Sequence, residues 1–159
     1  MLEIIDGNSS YEYIATIREL FEEYIDSLGF ELDFQDYRAE IASLPGKYSF
    51  PEGALLIAMW GGQAAGCIAM RPLDDRICEM KRLYVRPSFR GRGIARSLVS
   101  ALITLAKNKG YSRMRLDTME DIMAPAIRLY ESLGFYDILP YCFNPMKSAR
   151  FMELELPEA

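Results

Sequence analysis

The sequence predicts an α/β fold in which a mixed β-sheet carries helices on both faces. Three observations lead there. Strand-like runs joined by tight turns follow one another between residues 54 and 85, the mark of antiparallel hairpins. From residue 76 the order becomes strand, helix, strand, helix, strand, which sets helices against a sheet that is in part parallel. The chain of 159 residues shows no internal repeat, low-complexity tract or linker, so residues 1–159 read as a single domain.

The elements follow in order. LEII (2–5) is a short strand. Ser9 and Glu12 have capping-box spacing. Behind them Ile14, Ile17, Phe21, Ile25 and Leu28 recur at helical intervals, and Gly29 closes the helix. A second helix starts near Asp33, carries Phe34, Tyr37, Ile41 and Leu44 on one face, and stops at Pro45-Gly46. ALLIAMW (54–60) is a strand, Gly61-Gly62 its hairpin turn, and 63–71 the returning strand. A turn at Asp74-Asp75 leads into RICEMKRLYV (76–85), which ends before Pro87. If residues 73 and 76 pair, Cys78 faces Arg71 and Cys67 faces Arg82, so the two thiols are not cross-strand neighbours and form no disulfide. A helix from Gly91 to Asn108 buries Ile94, Leu98, Leu102 and Leu105, with Gly110 just beyond it. SRMRLDT (112–118) is a strand. Pro125 suits the first turn of a helix through Ala126, Leu129, Tyr130 and Leu133 to Gly134. Two final strands fall near 135–140 and 150–156.

Composition narrows the function classes. With 50% hydrophobic and 26% charged residues the chain has an ordinary globular make-up. No apolar run approaches the ~20 residues of a membrane span. The start MLEIIDGNSS lacks the basic and apolar segments of a signal peptide, so a cytoplasmic protein without membrane attachment is expected. A net charge of −5 argues against a nucleic-acid partner and mildly favours cationic ones. The 3 cysteines, Cys67, Cys78 and Cys142, fit neither a disulfide framework nor a metal site. Histidine is absent, which removes Ser-His-Asp, Cys-His and histidine-ligated metal chemistry. Proton transfer is left to Glu, Asp, Tyr, Cys, Lys or water.

The strongest motif is LYVRPSFRGRGIARSLV (83–99), where a strand ends and an arginine-glycine loop opens an amphipathic helix. Amides at a helix start lack intrahelical partners and, with the helix dipole, attract anions. Gly91 and Gly93 let a phosphate reach the backbone, while Arg90 and Arg92 add charged donors. A plain turn with solvated arginines has the same residues. A dinucleotide fingerprint fits less well: its third glycine is missing, and the strand arrives from a hairpin rather than opening a βαβ unit. A Walker loop is excluded by the missing Gly-Lys-Ser/Thr.

Two segments resemble the GNAT superfamily of N-acetyltransferases. Arg90-Gly91-Arg92-Gly93-Ile94-Ala95 is similar to its pyrophosphate loop, R/Q-x-x-G-x-G/A, and Ala126–Phe135 (AIRLYESLGF) to its second cofactor segment. The element order matches across nearly the whole chain. The resemblance implies a GNAT-like sheet, an acyltransferase dependent on acetyl-CoA as co-substrate, and no metal. It implies that the strand residues Leu83, Tyr84 and Val85 meet the pantetheine arm, with the backbone of Leu83 and Val85 pairing like an added strand. It places the pyrophosphate on the amides of Arg90, Gly91, Arg92, Gly93, Ile94 and Ala95. The Leu83 amide is then the candidate oxyanion donor, and Tyr130 the acid that meets the departing thiolate, unless it is a packing aromatic. Glu79, the sole carboxylate of its strand, is the candidate base or a structural and positioning carboxylate. At ~3.3 Å per residue it stands ~13 Å from Leu83, which calls for a relaying water or a strand bulge. Asp117 and Thr118 end a strand beside the expected thioester. Where the family often has asparagine, seven residues before the tyrosine, this chain has Met123.

The resemblance also places the acceptor between the first helices and the last strands, where Tyr141, Asn144 and Phe34 are the candidate contacts. Arg71 and Arg150 are candidates for a substrate carboxylate. The implied reaction is direct attack on acetyl-CoA, in a ternary complex, by a primary amine of a small molecule or peptide. A homodimer is compatible with this reading. Two alternatives remain beside it: a non-catalytic acyl-CoA-binding sensor, and a protein lysine or N-terminal acetyltransferase.

Overall fold

The computed structural model describes residues 1–28, 36–120 and 123–157. Strands β1 (Leu2–Asp6), β2 (Ala54–Trp60), β3 (Gln63–Pro72), β4 (Ile77–Val85), β5 (Arg113–Met119), β6 (Tyr136–Asp137) and β7 (Ala149–Glu155) form one seven-stranded sheet in the order β1-β2-β3-β4-β5-β7-β6. Every pairing is antiparallel except β4 with β5. Helices α1 (Tyr11–Ser27), α2 (Tyr37–Ala42), α3 (Ile94–Asn108) and α4 (Ala124–Ser132) complete the fold.

The sheet divides the apolar residues into two cores. Ile68, Met70, Met80 and Met114 face Leu98, Leu102 and Tyr130 of α3 and α4. Leu55, Ile57 and Cys67 face Ile17, Leu20 and Phe21 of α1, joined by Tyr48. Burying each large aliphatic or aromatic side chain contributes roughly 1.5–3 kcal/mol, so the helical stripes hold the layers together. Helices do cover both faces. Among the described residues, no helix is long and apolar enough to cross a membrane.

Several local expectations shift. The cap of α1 is Ser10, whose Oγ accepts from the Tyr13 N–H at 3.1 Å. Ser9 instead donates its hydroxyl to the Asp6 carbonyl at 2.7 Å, because residues 7–9 form a 3₁₀ turn capped by Asp6. The second helix is only Tyr37–Ala42, entered from Asp36 in the left-handed region (φ 50°). Its expected start at Asp33, with Phe34, lies outside the described residues, as does Gly29, the expected stop of the first helix. The strand before the arginine-glycine loop does open a βαβ unit, since β4 and β5 are parallel with α3 between them.

The largest correction is the β3–β4 register. Glu79, not Cys78, faces Arg71, and Tyr84, not Arg82, faces Cys67. The turn is wider than Asp74-Asp75: the N–H groups of Leu73 and Asp74 both donate to the Ile77 carbonyl. Farther along, a β-bulge interrupts the ladder opposite Cys67–Ala69, with Arg82 at φ 61°. A bulge inserts one residue and reverses the side-chain alternation beyond it. Cys78 and Met80 therefore face α3 and α4 on even numbers, whereas Leu83 and Val85 do so on odd ones. All three cysteines are free thiols.

Candidate active site

The parallel pairing of β4 with β5 covers only Ile77↔Arg113, Cys78↔Met114 and Glu79↔Arg115. Beyond it the two strands run on to Val85 and Met119 without pairing with each other. The bulge lies where they separate, and bulges add local twist. The backbone edge of β4 from Met80 onward thus faces a cleft instead of a strand. That cleft is a cavity of about 490 Å³ lined by Lys81 to Val85 on one wall and Leu116 to Met119 on the other. Tyr24, Met123, Ala126, Tyr130 and Asn144 also reach it.

The arginine-glycine loop stands at the mouth. Pro87–Phe89 forms a 3₁₀ turn, after which Gly91 (φ 80°) and Gly93 (φ 75°) carry the chain through left-handed conformations. A Cβ added at either would meet nothing within 4 Å, so the backbone lies open on that side. Gly93 is the N-cap of α3 and supplies no side-chain cap. The first-turn amides of α3 are left without a capping side chain, as an anion cradle requires. Arg90 Nε donates to the Val85 carbonyl at 3.0 Å, tying the loop to the end of β4. Arg92 lies over the rings of Trp60 (5.0 Å) and Phe89 (5.6 Å). A second depression of about 270 Å³ follows this loop and shares Leu83, Val85, Arg90, Pro125 and Ala126 with the main cleft. The loop and the cleft are therefore continuous. The residues present fit a pyrophosphate followed by a slender arm along β4.

Tyr130 projects from α4 into the deep end of the cleft. It is 6% exposed and packs on Phe135 at 5.7 Å, yet its hydroxyl has no protein hydrogen-bond partner among the described residues. Burial raises its pKa, with Tyr24 adding to the effect, so the phenol stays protonated at neutral pH and remains a donor. Tyr24, opposite it, is pushed up to about 12 chiefly by burial. Met123 caps α4 without a polar side chain, accepts the Thr118 hydroxyl on its sulfur at 3.2 Å, and packs against Ile25 and Leu28.

Glu79 is fully buried and is not among the cleft-lining residues. Arg71 Nε donates to its Oε1 at 2.8 Å, Lys81 Nζ lies 3.6 Å from the same oxygen, and the Tyr141 hydroxyl donates to Oε2 at 2.7 Å. Burial pushes this carboxyl up, but Lys81, Tyr141 and Arg71 together outweigh it and hold it below its ordinary range. Asp117, which does line the cleft, accepts from Asn144 Nδ2 at 3.1 Å. Glu79, Asp117 and Cys142 bring one ligand atom each within 4.8 Å of one another, with the two carboxylates already engaged by these protein donors.

The structure thus gathers Leu83, Tyr84, Val85, Tyr130 and Asn144 around one cleft and Gly91, Gly93, Ile94 and Ala95 around the adjoining depression, with Arg90 in both. Tyr84 turns its ring toward α1, where its hydroxyl donates to Glu23 Oε1 at 3.3 Å. Tyr141 stands behind the cleft wall with Glu79. Arg150 is instead paired with Asp137 at 2.9 Å. Sequence reasoning missed Lys81 and the buried pair Arg82–Glu40 (2.8 Å). Charged residues inside an otherwise apolar strand were the available signal, though their side of the sheet depends on the bulge.

Comparisons with known proteins bear on the family and the fold. The sequence model described as the acetyltransferase (GNAT) family matches residues 15–135. An uncharacterized N-acetyltransferase of Schizosaccharomyces pombe is 42% identical over 139 residues, covering 86% of this chain and 85% of that protein. An acetyltransferase of Streptococcus agalactiae has the same fold, with a TM-score of 0.77, 23% identity and 98% of each chain covered. A GNAT family acetyltransferase of Elizabethkingia anophelis, solved with acetyl-CoA bound, aligns with a TM-score of 0.66 at 20% identity over 98% of each chain.

Proposed function

The chain belongs to the acetyltransferase (GNAT) family, and on that premise we propose that the β4–β5 cleft holds acetyl-CoA and a primary amine together for direct transfer. Acyl transfer from acetyl-CoA to an amine is the family's reaction. The roles of individual residues, and residues 1–159 as one catalytic domain, are our reading. The observation that carries it is the β4 edge, unpaired among the described residues, running from the glycine cradle at 91–93 to the Tyr130 hydroxyl, which has no partner among them either.

On this reading the amides of residues 90–95 and the side chain of Arg90 hold the pyrophosphate. The edge of β4 at Leu83 to Val85 pairs with the pantetheine arm as a strand would. Acetyl-CoA supplies the acetyl group as a thioester. The amine nitrogen attacks the thioester carbon, and the Leu83 N–H donates to the carbonyl oxygen as negative charge develops there. As the carbon–sulfur bond breaks, the Tyr130 hydroxyl gives its hydrogen bond or proton to the sulfur. The nitrogen's proton leaves through water along the wall that Asp117 lines. Glu79 is a positioning residue in this scheme: a carboxylate held by two cations is a weak base, and it fixes Tyr141, Arg71 and Lys81. Direct attack is favoured over an acyl-cysteine because the thiols are poor nucleophiles. Burial raises the Cys67 thiol, takes Cys78 to about 12, and raises Cys142 to about 11 with Asp117 adding.

Tyr130→Phe removes one hydroxyl and little packing. Turnover is expected to fall roughly 10- to 10⁴-fold with acetyl-CoA affinity retained. Unchanged turnover in this variant would leave Tyr130 a packing aromatic and remove the acid from the scheme.

A further inference from the structure

The charges beside the cleft run against the charge of the chain. Glu79 serves two cations and one tyrosine hydroxyl: Arg71 at 2.8 Å, Lys81 at 3.6 Å and Tyr141 at 2.7 Å. Glu40 repeats the pattern with Arg82 at 2.8 Å, Lys47 at 3.1 Å and Tyr48 at 2.8 Å. The two groups lie on the same side of the sheet: Glu79 and Lys81 alternate with Cys78 and Met80, which face α3 and α4, and Tyr48, which bonds Glu40, packs in the core on the α1 side. Among the described residues, these ion pairs set four cations against two carboxylates, with the Asp117 carboxylate a third within 4.8 Å of Glu79, in a chain of net charge −5.

The cations are not equivalent. Arg82 grips both oxygens of Glu40, at 2.8 and 3.0 Å. Arg71 makes a close contact with Glu79 Oε1, and Lys81 shares that oxygen at the longer distance. Lys81 and Arg82 both line the cleft, but Arg82 is held by Glu40, whereas Lys81, two positions before Leu83 or about 7 Å along the strand, has only the longer contact. Across the cleft stands Asp117 on β5, oriented by Asn144. The acceptor end therefore offers a cation on one wall and an anion on the other.

We propose that the acceptor is a small zwitterion, an amine bearing its own carboxylate, with the carboxylate against Lys81 and the ammonium toward Asp117. This inference rests on the acetyl-transfer reading above and names its substrate class. An entering carboxylate completes the pairing of Lys81. A polyamine brings a second positive charge against the same four cations and is rejected, contrary to what the net charge suggests. A protein N-terminus has no carboxylate near its amine and leaves Lys81 incompletely paired.

The experiment follows CoA release by the full chain with acetyl-CoA and a panel of free α-, β- and γ-amino acids, each beside its carboxamide, together with putrescine and spermidine. Mass spectrometry identifies each product. The free acids are expected to exceed their amides roughly 10- to 100-fold in kcat/KM, the worth of a charge-assisted hydrogen bond, and the polyamines to fall below both. Lys81→Met, which keeps the length of the stem, is expected to shrink the acid-over-amide ratio mainly through KM. The acetyl-CoA-induced rise in Tm reports that this variant is folded. Amides or polyamines that match or exceed the acids overturn the inference and leave acetyl transfer standing. The same holds for an unchanged ratio in folded Lys81→Met. Binding of acetyl-CoA with no amine of any kind acetylated overturns the transfer reading, and the inference with it.

Discussion

Two side chains in this protein hold opposite positions with respect to hydrogen bonding. The Tyr130 hydroxyl faces a cleft with no protein partner among the described residues, whereas both oxygens of buried Glu79 are occupied. The second arrangement makes a pH prediction. The folded pKa of Glu79 lies below its ordinary 4.5. Its ionisation therefore stabilises the fold above that value, and the contribution is lost as pH falls through the lower folded pKa. Glu79→Gln should lower stability at pH 7 by about 1.5–3 kcal/mol, the worth of hydrogen bonds to a charged group. Thermal melts should show the gap to the native protein narrowing below about pH 4. A gap that stays constant from pH 7 to pH 3 would mean that Glu79 is not held as a paired anion. Tyr130 could be singled out from the sequence, as candidate acid or packing aromatic, because it sits within a recognisable helix motif. The engagement of Glu79 was not, since its partners Arg71 and Tyr141 lie 8 and 62 residues away.

Helices and strands were legible to within a few residues wherever apolar periodicity was sustained, as in α3 and β2. The relation between β3 and β4 was not, because neither the width of the turn at 73–77 nor the bulge leaves a composition signal, and a slip of one residue exchanges the two faces of a strand. Here it changes the cross-strand neighbour of Arg71 from Cys78 to Glu79. Gly66 makes this part of the sheet testable. A Cβ at Gly66 would lie 2.4 Å from the Tyr84 carbonyl oxygen, a contact with backbone that cannot swing aside. Gly66→Ala should therefore cost about 1–3 kcal/mol, as overpacking does. It should also weaken acetyl-CoA binding, because it displaces β4 between Leu83 and Val85. A variant with native Tm and native acetyl-CoA affinity would show that β4 is not fixed there by close approach to β3.

For the whole molecule, the sheet with helices on both faces follows from the order of elements alone, and it divides the apolar residues into two cores. Charge behaves differently. The total of −5 points to cationic partners, yet folding collects Arg71, Lys81, Arg82 and Lys47 beside the cleft, a grouping that no count over the sequence contains. What unites the molecule in this account is the proposed binding path, which begins at the glycine cradle, follows the free edge of β4 and ends at Tyr130. Its entrance is the most direct place to test it, by the change in Tm that acetyl-CoA produces in the native chain and in Gly93→Glu. At 100 times its Kd, a ligand bound only by the folded state contributes about 2.7 kcal/mol, a rise of roughly 5–10 °C for a chain of this size. The native chain should show that rise, and Gly93→Glu, folded but with a carboxylate where the pyrophosphate must sit, should show none. An equal rise in both proteins would contradict the account.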